Sequence, residues 1–514
     1  MHMPGMTMPK QEKKAPAKKK APAKKKATAK KAAPKASHRA KPTTKPAETM
    51  EMPMDHAVSP SAEQPAPADH SQMGHDMPMP AQPSAGQPTP MPMDHSQMDH
   101  SQHQPAPIDT GPAEEMHMDH SDMMVGDNHM MTGALGPYPM TRESSGTAWQ
   151  PDASKHMGLM KMSGGWMLMG HGVLNAVYDH QSGPRGDDKA FVSGMMMGMA
   201  IHPLGNGTVQ FKTMLSPDPL MGKRGYPLLL ASGETANGVD RLIDRQHPHD
   251  FFMELSASDS QNIGSSSSVF LYGGLPGEPA FGPPAFMHRE SIMDSPEAPI
   301  THHWLDSTHI SFGVLTPGIV VDRVKVEVSR FNAREPDQHR WNIETGPLDS
   351  TAIRLSWNPT RTLALQGSWG HFEDPEQLEP GVDQKRWSAS VLYANDVAPG
   401  WHLAGTLAWG RKTVEHHDDD AFAAELSVKH EGWTVFGRGE MTENRELLSL
   451  DEHGPAFTVG KVSLGAVRDF RVADHFSIGA GGLFSLNFVP DGLAPLYGGH
   501  NPVGAMGFVR LKID

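Results

Sequence analysis

The chain has 514 residues, with 36 Met, 30 His, 51 Gly and 46 Pro, no Cys, and a formal net charge of −14. Fifteen of its 45 Lys and Arg fall between Lys10 and Lys45 against a single acid, Glu12, so a basic head is joined to a body carrying about 28 net negative charges. No apolar run of roughly 18 residues occurs, which excludes a transmembrane helix. The lack of Cys excludes a disulfide framework and suits an oxidising compartment, where thioethers persist and thiols pair.

Residues 1–47 read as an extended, solvated tail, because prolines interrupt every helical stretch and the like charges repel. Such tails bind anionic lipid, polysaccharide or nucleic acid by counterion release; nucleic acid is the least favoured of these partners. No apolar core of roughly 7–15 residues, the mark of a secretory leader, is visible between Met1 and Lys45.

Residues 48–132 change to Met, His, Asp, Gln, Ser and Pro, with almost no aromatic or β-branched side chains to bury, so this region is expected to be disordered. Four fragments recur: Met52-Pro53-Met54-Asp55-His56, Met91-Pro92-Met93-Asp94-His95, Met98-Asp99-His100-Ser101-Gln102-His103 and Met116-His117-Met118-Asp119-His120. A thioether is a soft, neutral donor that prefers Cu(I) or Ag(I), whereas imidazole suits both Cu(I) and Cu(II). Interleaving them on a flexible chain lets it follow copper through both oxidation states. The expected ligands are therefore Met52, Met54, His56, Met91, Met93, His95, Met98, His100, His103, Met116, His117, Met118 and His120. The competing reading is a polar linker, but so many exposed Met are foreign to linkers, since Met is ordinarily a core residue.

From residue 133 to 514 short alternating runs replace the repeats. Val324-Lys325-Val326-Glu327-Val328-Ser329, Ala352-Ile353-Arg354-Leu355-Ser356-Trp357 and Phe508-Val509-Arg510-Leu511-Lys512-Ile513 place one residue set on each face of a strand. Tight turns around Asn358-Pro359, Glu431-Gly432 and Asp474-His475 alternate with long inserts, Pro217 to Arg245 and Pro276 to Asp306. Tyr178, Trp341, Trp357, Trp369, Trp387, Trp401, Trp409 and Trp433 recur near strand ends. Short turns, long loops and aromatic girdles together predict an all-β fold, a transmembrane antiparallel barrel of about 12–16 strands in the outer membrane of a Gram-negative bacterium, its N-terminal region periplasmic. A soluble β-rich sandwich or propeller using the basic head on nucleic acid is the alternative.

Within the barrel, Asp244-Arg245-Gln246-His247-Pro248-His249-Asp250 and Thr301-His302-His303-Trp304-Leu305-Asp306-Ser307-Thr308-His309 concentrate imidazoles and carboxylates. If strand alternation turns His247 and His249 into the lumen, they share an ion, with Asp250, His302, His303, Asp306 and His309 completing a site across loops. A His-x-His pair is weak evidence by itself, and a hydrogen-bonded polar network bracing the lumen is the rival reading. Met195, Met196, Met197 and Met199 sit on one candidate strand and are expected to divide between its faces; Asp418, Asp419 and Asp420 read as a solvated loop. No G-x-S-x-G elbow, P-loop, H-E-x-x-H or dinucleotide fingerprint is present, so no enzyme is expected.

The repeat Met93-Asp94-His95-Ser96-Gln97-Met98-Asp99-His100, leading into a barrel-like half, resembles the copper-resistance protein B type of outer-membrane protein. That resemblance implies copper ions, Cu(I) or Cu(II), as cargo, a part in metal resistance or homeostasis, and outer-membrane lipid and periplasmic copper proteins as partners. The barrel segment, through Ala134 to Met140, Asp244 to Asp250, Gly282 to Arg289 and Pro296 to Trp304, looks more like an uncharacterised bacterial outer-membrane group. A porin-like or structural barrel with incidental metal affinity stays open beside the copper reading.

Overall fold

The structure is a computed structural model and describes residues 131–155, 158–448 and 454–513. A hairpin, β1 (Leu159–Ser163) and β2 (Trp166–Gln181), leads to β3 (Asp188–Leu204) and β4 (Gly207–Leu215). A separate ribbon, β5 (Tyr226–Thr235) and β6 (Arg241–Gln246), precedes β7 (Phe252–Asn262) and β8 (Ser267–Gly274). The meander continues through β9 (Val314–Val321), β10 (Val324–Phe331), β11 (Ser350–Thr360), β12 (Leu363–Phe372) and β13 (Gln384–Ala398). It finishes with β14 (Trp401–Val414), β15 (His417–His430), β16 (Trp433–Asn444), β17 (Phe457–Ala473), β18 (Phe476–Phe488) and β19 (Val503–Ile513).

Among the described residues, sixteen antiparallel strands, β2–β4 and β7–β19, close on themselves. The seam is β19 against β2, running from Ile513 opposite Gly172 to Gly504 opposite Gln181. β1 pairs with the start of β2, Leu159 opposite Gly170, and so extends the wall end to end with β19. Closure leaves no unpaired edge, the condition a sheet must meet to stand in lipid.

The strands are amphipathic in the inverted sense. On β10, Val324, Val326 and Val328 are exposed outward, while Lys325, Glu327 and Ser329 are wholly buried inside. The same alternation puts Ile353, Leu355 and Trp357 outside on β11, with Arg354, Ser356 and Asn358 inside. An apolar exterior around a charged interior is the pattern of an outer-membrane barrel and has no use in water, so the soluble sandwich and propeller are ruled out. Trp357, Trp401 and Trp433 lie by the tight turns, and Tyr178, Trp369 and Trp387 by the long loops. Trp341 belongs to neither girdle, since it stacks on Phe251 within the loop after β10, ring centroids 5.4 Å apart.

Three segments fold into the lumen. Residues 132–155 enter beside the tight turns, where Thr208 and Ser260 donate to the Ala134 carbonyl at 2.5 and 2.7 Å. They then run inward, with Lys212 on the Gly146 carbonyl at 2.6 Å and Arg354 on Thr147 at 2.8 Å. These residues fall in the segment expected to form the barrel; their backbone is a plug held by wall side chains. The β5–β6 ribbon occupies the insert expected as a plain loop and buries Leu228, Leu229 and Leu230 completely. The third segment, residues 275–313 between β8 and β9, crosses to the opposite wall. There Arg289 forks onto Glu425 at 2.7 and 2.9 Å, Arg510 reaches Asp294 at 2.8 Å, and Glu297 meets Lys461 and Arg438.

The Asp418–Asp420 stretch is also not the solvated loop expected: it lies in β15, with Asp419 buried against Arg445 at 2.9 Å and Asp420 paired with Arg411 at 2.7 Å.

Candidate metal centre

The inward loop 275–313 carries a short helix, α1 (His302–Leu305), seated against the wall where Ala408, Ala421 and Ala423 leave room for Trp304 and Leu305. Gly410 completes that seat: a Cβ there would stand 2.5 Å from the Trp304 carbonyl oxygen. The helix brings His302 and His303, and the turn after it His309, up to the segment just past β6 that carries His247 and His249. His247 and His249 do not share a side by strand alternation, as expected, because the strand ends at Gln246. Convergence of two loops gathers them.

The five rings form one buried cluster. Ring centroids lie 5.9 Å apart for His247 and His302, 5.6 Å for His247 and His303, 5.1 Å for His249 and His309, and 5.3 Å for His302 and His309. A tetrahedral ion with metal–nitrogen bonds of about 2 Å sets its imidazole centroids roughly 5 Å apart, close to these spacings.

Each ring is oriented through Nδ1. His249 Nδ1 lies 2.8 Å from Asp218, His302 Nδ1 2.8 Å from Asp306, His309 Nδ1 2.7 Å from the Asp306 carbonyl, and His247 Nδ1 3.2 Å from Glu234. Carboxylates and carbonyls only accept, so Nδ1 carries the proton and Nε2 keeps the lone pair in the neutral ring. The Nε2 atoms of His247, His249, His302 and His309 are all buried without a hydrogen-bond partner. Burial first, then Arg340 at His247 and the adjoining imidazoles at His309, holds these two rings well below the usual imidazole range, and burial lowers His302 and His303 too. Burial opposes ionisation of Asp306, yet Arg289 and His302 hold it below the usual carboxylate range. Neutral imidazoles at His247, His302 and His309, with an ionised Asp306 behind them, are the protonation state a metal requires.

Two expected members stand apart. His303 turns Nδ1 to Glu335 at 3.1 Å, and Asp250 is buried against Arg340 at 3.1 Å, so both brace the cluster from outside. Sequence reasoning missed Asp218 and Glu234, the acceptors that orient His249 and His247. Among the described residues, three ligand atoms within 4.8 Å of one another are found instead at His371, Glu373 and Asp383, in and beside the exposed end of β12. The ligand atoms of the histidine cluster are less tightly gathered. A cavity of 40 Å³ lies beside His247 and His249. The tail ligands expected from Met52 to His120 lie outside the described residues.

No family model and no curated protein matches the chain. Among solved structures, OmpT of Vibrio cholerae is 8% identical with a TM-score of 0.38, covering 69% of this chain and 100% of its own. Salmonella typhi OmpF in complex with daunomycin is 11% identical with a TM-score of 0.43 and the same coverage. An anion-selective porin from Comamonas acidovorans is 11% identical, with a TM-score of 0.37, covering 68% of this chain and 100% of its own. At such scores the barrel assignment rests on the strand pairings themselves.

Proposed function

We propose that this outer-membrane barrel binds copper. The Met/His-rich segment captures Cu(I) and Cu(II) on the periplasmic side, and the lumen holds Cu(II) at His247, His249, His302 and His309, contributing to metal resistance or homeostasis. One observation carries this reading: four buried imidazoles with Nδ1 satisfied and Nε2 without a partner. A polar brace would be expected to use both ring nitrogens, because a buried unsatisfied acceptor costs about 1–3 kcal/mol. The resemblance of the Met93 to His100 repeat to copper-resistance protein B supports the same cargo.

The test uses the full chain with the tail silenced, every Met and His from residue 48 to 130, the thirteen expected ligands among them, being replaced by Leu for Met and Gln for His. Its Cu(II) should give an electron paramagnetic resonance spectrum with nitrogen hyperfine structure. His302→Gln with His309→Gln should then lower Cu(II) occupancy at least tenfold. Equal occupancy in the two proteins would remove the lumen from the proposal.

A porin-like barrel is the second reading, favoured by the strand number, since barrels of roughly 16–18 strands enclose an aqueous channel. Planar-bilayer conductance separates the two: a lumen crossed by three segments predicts conductance well below that of an open barrel of this size.

A further inference from the structure

On the wall beside the histidine cluster the lumen changes character. β2 turns Met167, Met169 and His171 inward, and β3 does the same with Met195, Met197 and Met199, leaving only Met196 of that run toward lipid, 61% exposed. The expectation that these methionines divide evenly between the faces fails for a simple reason: three of the four share one parity. Register aligns them into rows. His171 stands opposite Met197 and Met197 opposite Met214 of β4, while Met169 stands opposite Met199. Side chains directly opposed on one face have Cβ atoms about 5 Å apart.

The loop 275–313 caps the first row. His288 Nε2 lies 3.3 Å from the Met214 sulfur, and its ring centroid is 5.9 Å from that of His171. A cavity of 80 Å³ opens there, with Met140 of the plug and Met293 of the loop adding thioethers to its lining. Lys212 reaches the same cavity, but its ammonium group is engaged by the Gly146 carbonyl at 2.6 Å. Met197 and Met214 also pack with Met253, Ile310 and Phe312, which hold the row in place. Burial also keeps the His288 imidazole neutral, lowering it to about 3.

We infer that the row His171, Met197 and Met214, closed by His288, is a second luminal metal site that takes a monovalent soft cation, Cu(I) or Ag(I). Two thioethers and two imidazoles form a neutral, soft donor set, which favours a singly charged ion of low hydration over Zn(II) or Cu(II). The site deepens the copper reading above, yet uses no residue of the histidine cluster. The lumen then offers one nitrogen site and one mixed sulfur–nitrogen site, matched to the two oxidation states of one metal.

The experiment loads the tail-silenced full chain with Cu(I) anaerobically and competes with bathocuproine disulfonate. One Cu(I) per chain should remain, with both sulfur and nitrogen scattering in X-ray absorption. Met197→Leu with Met214→Leu conserves volume and should lower retained Cu(I) at least tenfold while heat-modifiable gel mobility persists. His288→Gln, on the loop and not the wall, should do the same if the double variant does not fold. Met196→Leu should change nothing. Retention equal to the parent in both the Met197/Met214 and His288 variants, or no Cu(I) held by the parent, overturns the site. Cu(II) binding measured on the same proteins reports on the histidine cluster separately, so either site can fail alone.

Discussion

Glu278 sits at the start of the long inward loop, beside the plug, where its Cβ is 2.6 Å from the position a Cβ on Gly146 would take. Burial, the dominant cause, pushes its carboxyl up to about 7, and Arg354 at 3.8 Å only partly offsets it. The folded protein therefore holds a proton that the unfolded chain has released between its ordinary pKa near 4.5 and about 7. Stability from this group is full below that window and falls as pH rises through it, by on the order of 3 kcal/mol. The temperature at which the gel-mobility shift is lost should fall between pH 5 and pH 8, and Glu278→Gln should flatten that slope; parallel slopes would contradict the assignment. That the five histidines form one group was legible, because two short stretches of sequence concentrate imidazoles and carboxylates. Their orienting partners were not, since Asp218 lies 31 residues from His249 and touches it only through the fold. The stated reason for pairing His247 with His249 was also wrong, because Gln246 ends the strand.

Two of the inward segments have anchors that can be cut. Arg142 and Asp152 form a buried two-pronged pair at 2.7 and 2.9 Å that closes the plug on itself. Asp152→Ala strands a guanidinium in the interior, where breaking a buried pair costs about 3–5 kcal/mol. Limited proteolysis should then cut the plug between residues 132 and 155 while the barrel keeps its mobility; a plug resistant as before would show that its backbone contacts suffice. Gly410→Val tests the seat of α1, since a side chain there meets the Trp304 backbone. It should lower Cu(II) occupancy of the histidine centre at least tenfold with Cu(I) retention less affected, read by the two assays above. At this scale the sequence supplied the turns and most strands, because period-two alternation and Gly/Asn/Asp punctuation are local. It hid the plug, since Ala134 to Asp152 carries no periodicity and is held by side chains from distant strands.

The described residues form a sheet turned inside out, apolar toward lipid and charged within, and that inversion was readable because the strands of the closed wall repeat it. Strand number fell at the upper end of the expected 12–16 for the same reason. What fills the lumen could not be read, because a loop lying on the mouth and one folded into the barrel share the same composition. Filling has a mechanical consequence: ion pairs from Arg289, Asp294 and Glu297 tie the crossing loop to the far wall. Conductance should therefore rise when Arg289→Ala releases the loop from Glu425 on the far wall, and an unchanged trace would mean that the remaining ties hold the crossing in place.

Anomalous diffraction at the copper edge from crystals of the full-length protein grown with Cu(II) addresses the centre most directly. A peak among His247, His249, His302 and His309, inside the closed wall, is the predicted result. Copper confined to the group of His371, Glu373 and Asp383, with an ordered and metal-free histidine cluster, would contradict it.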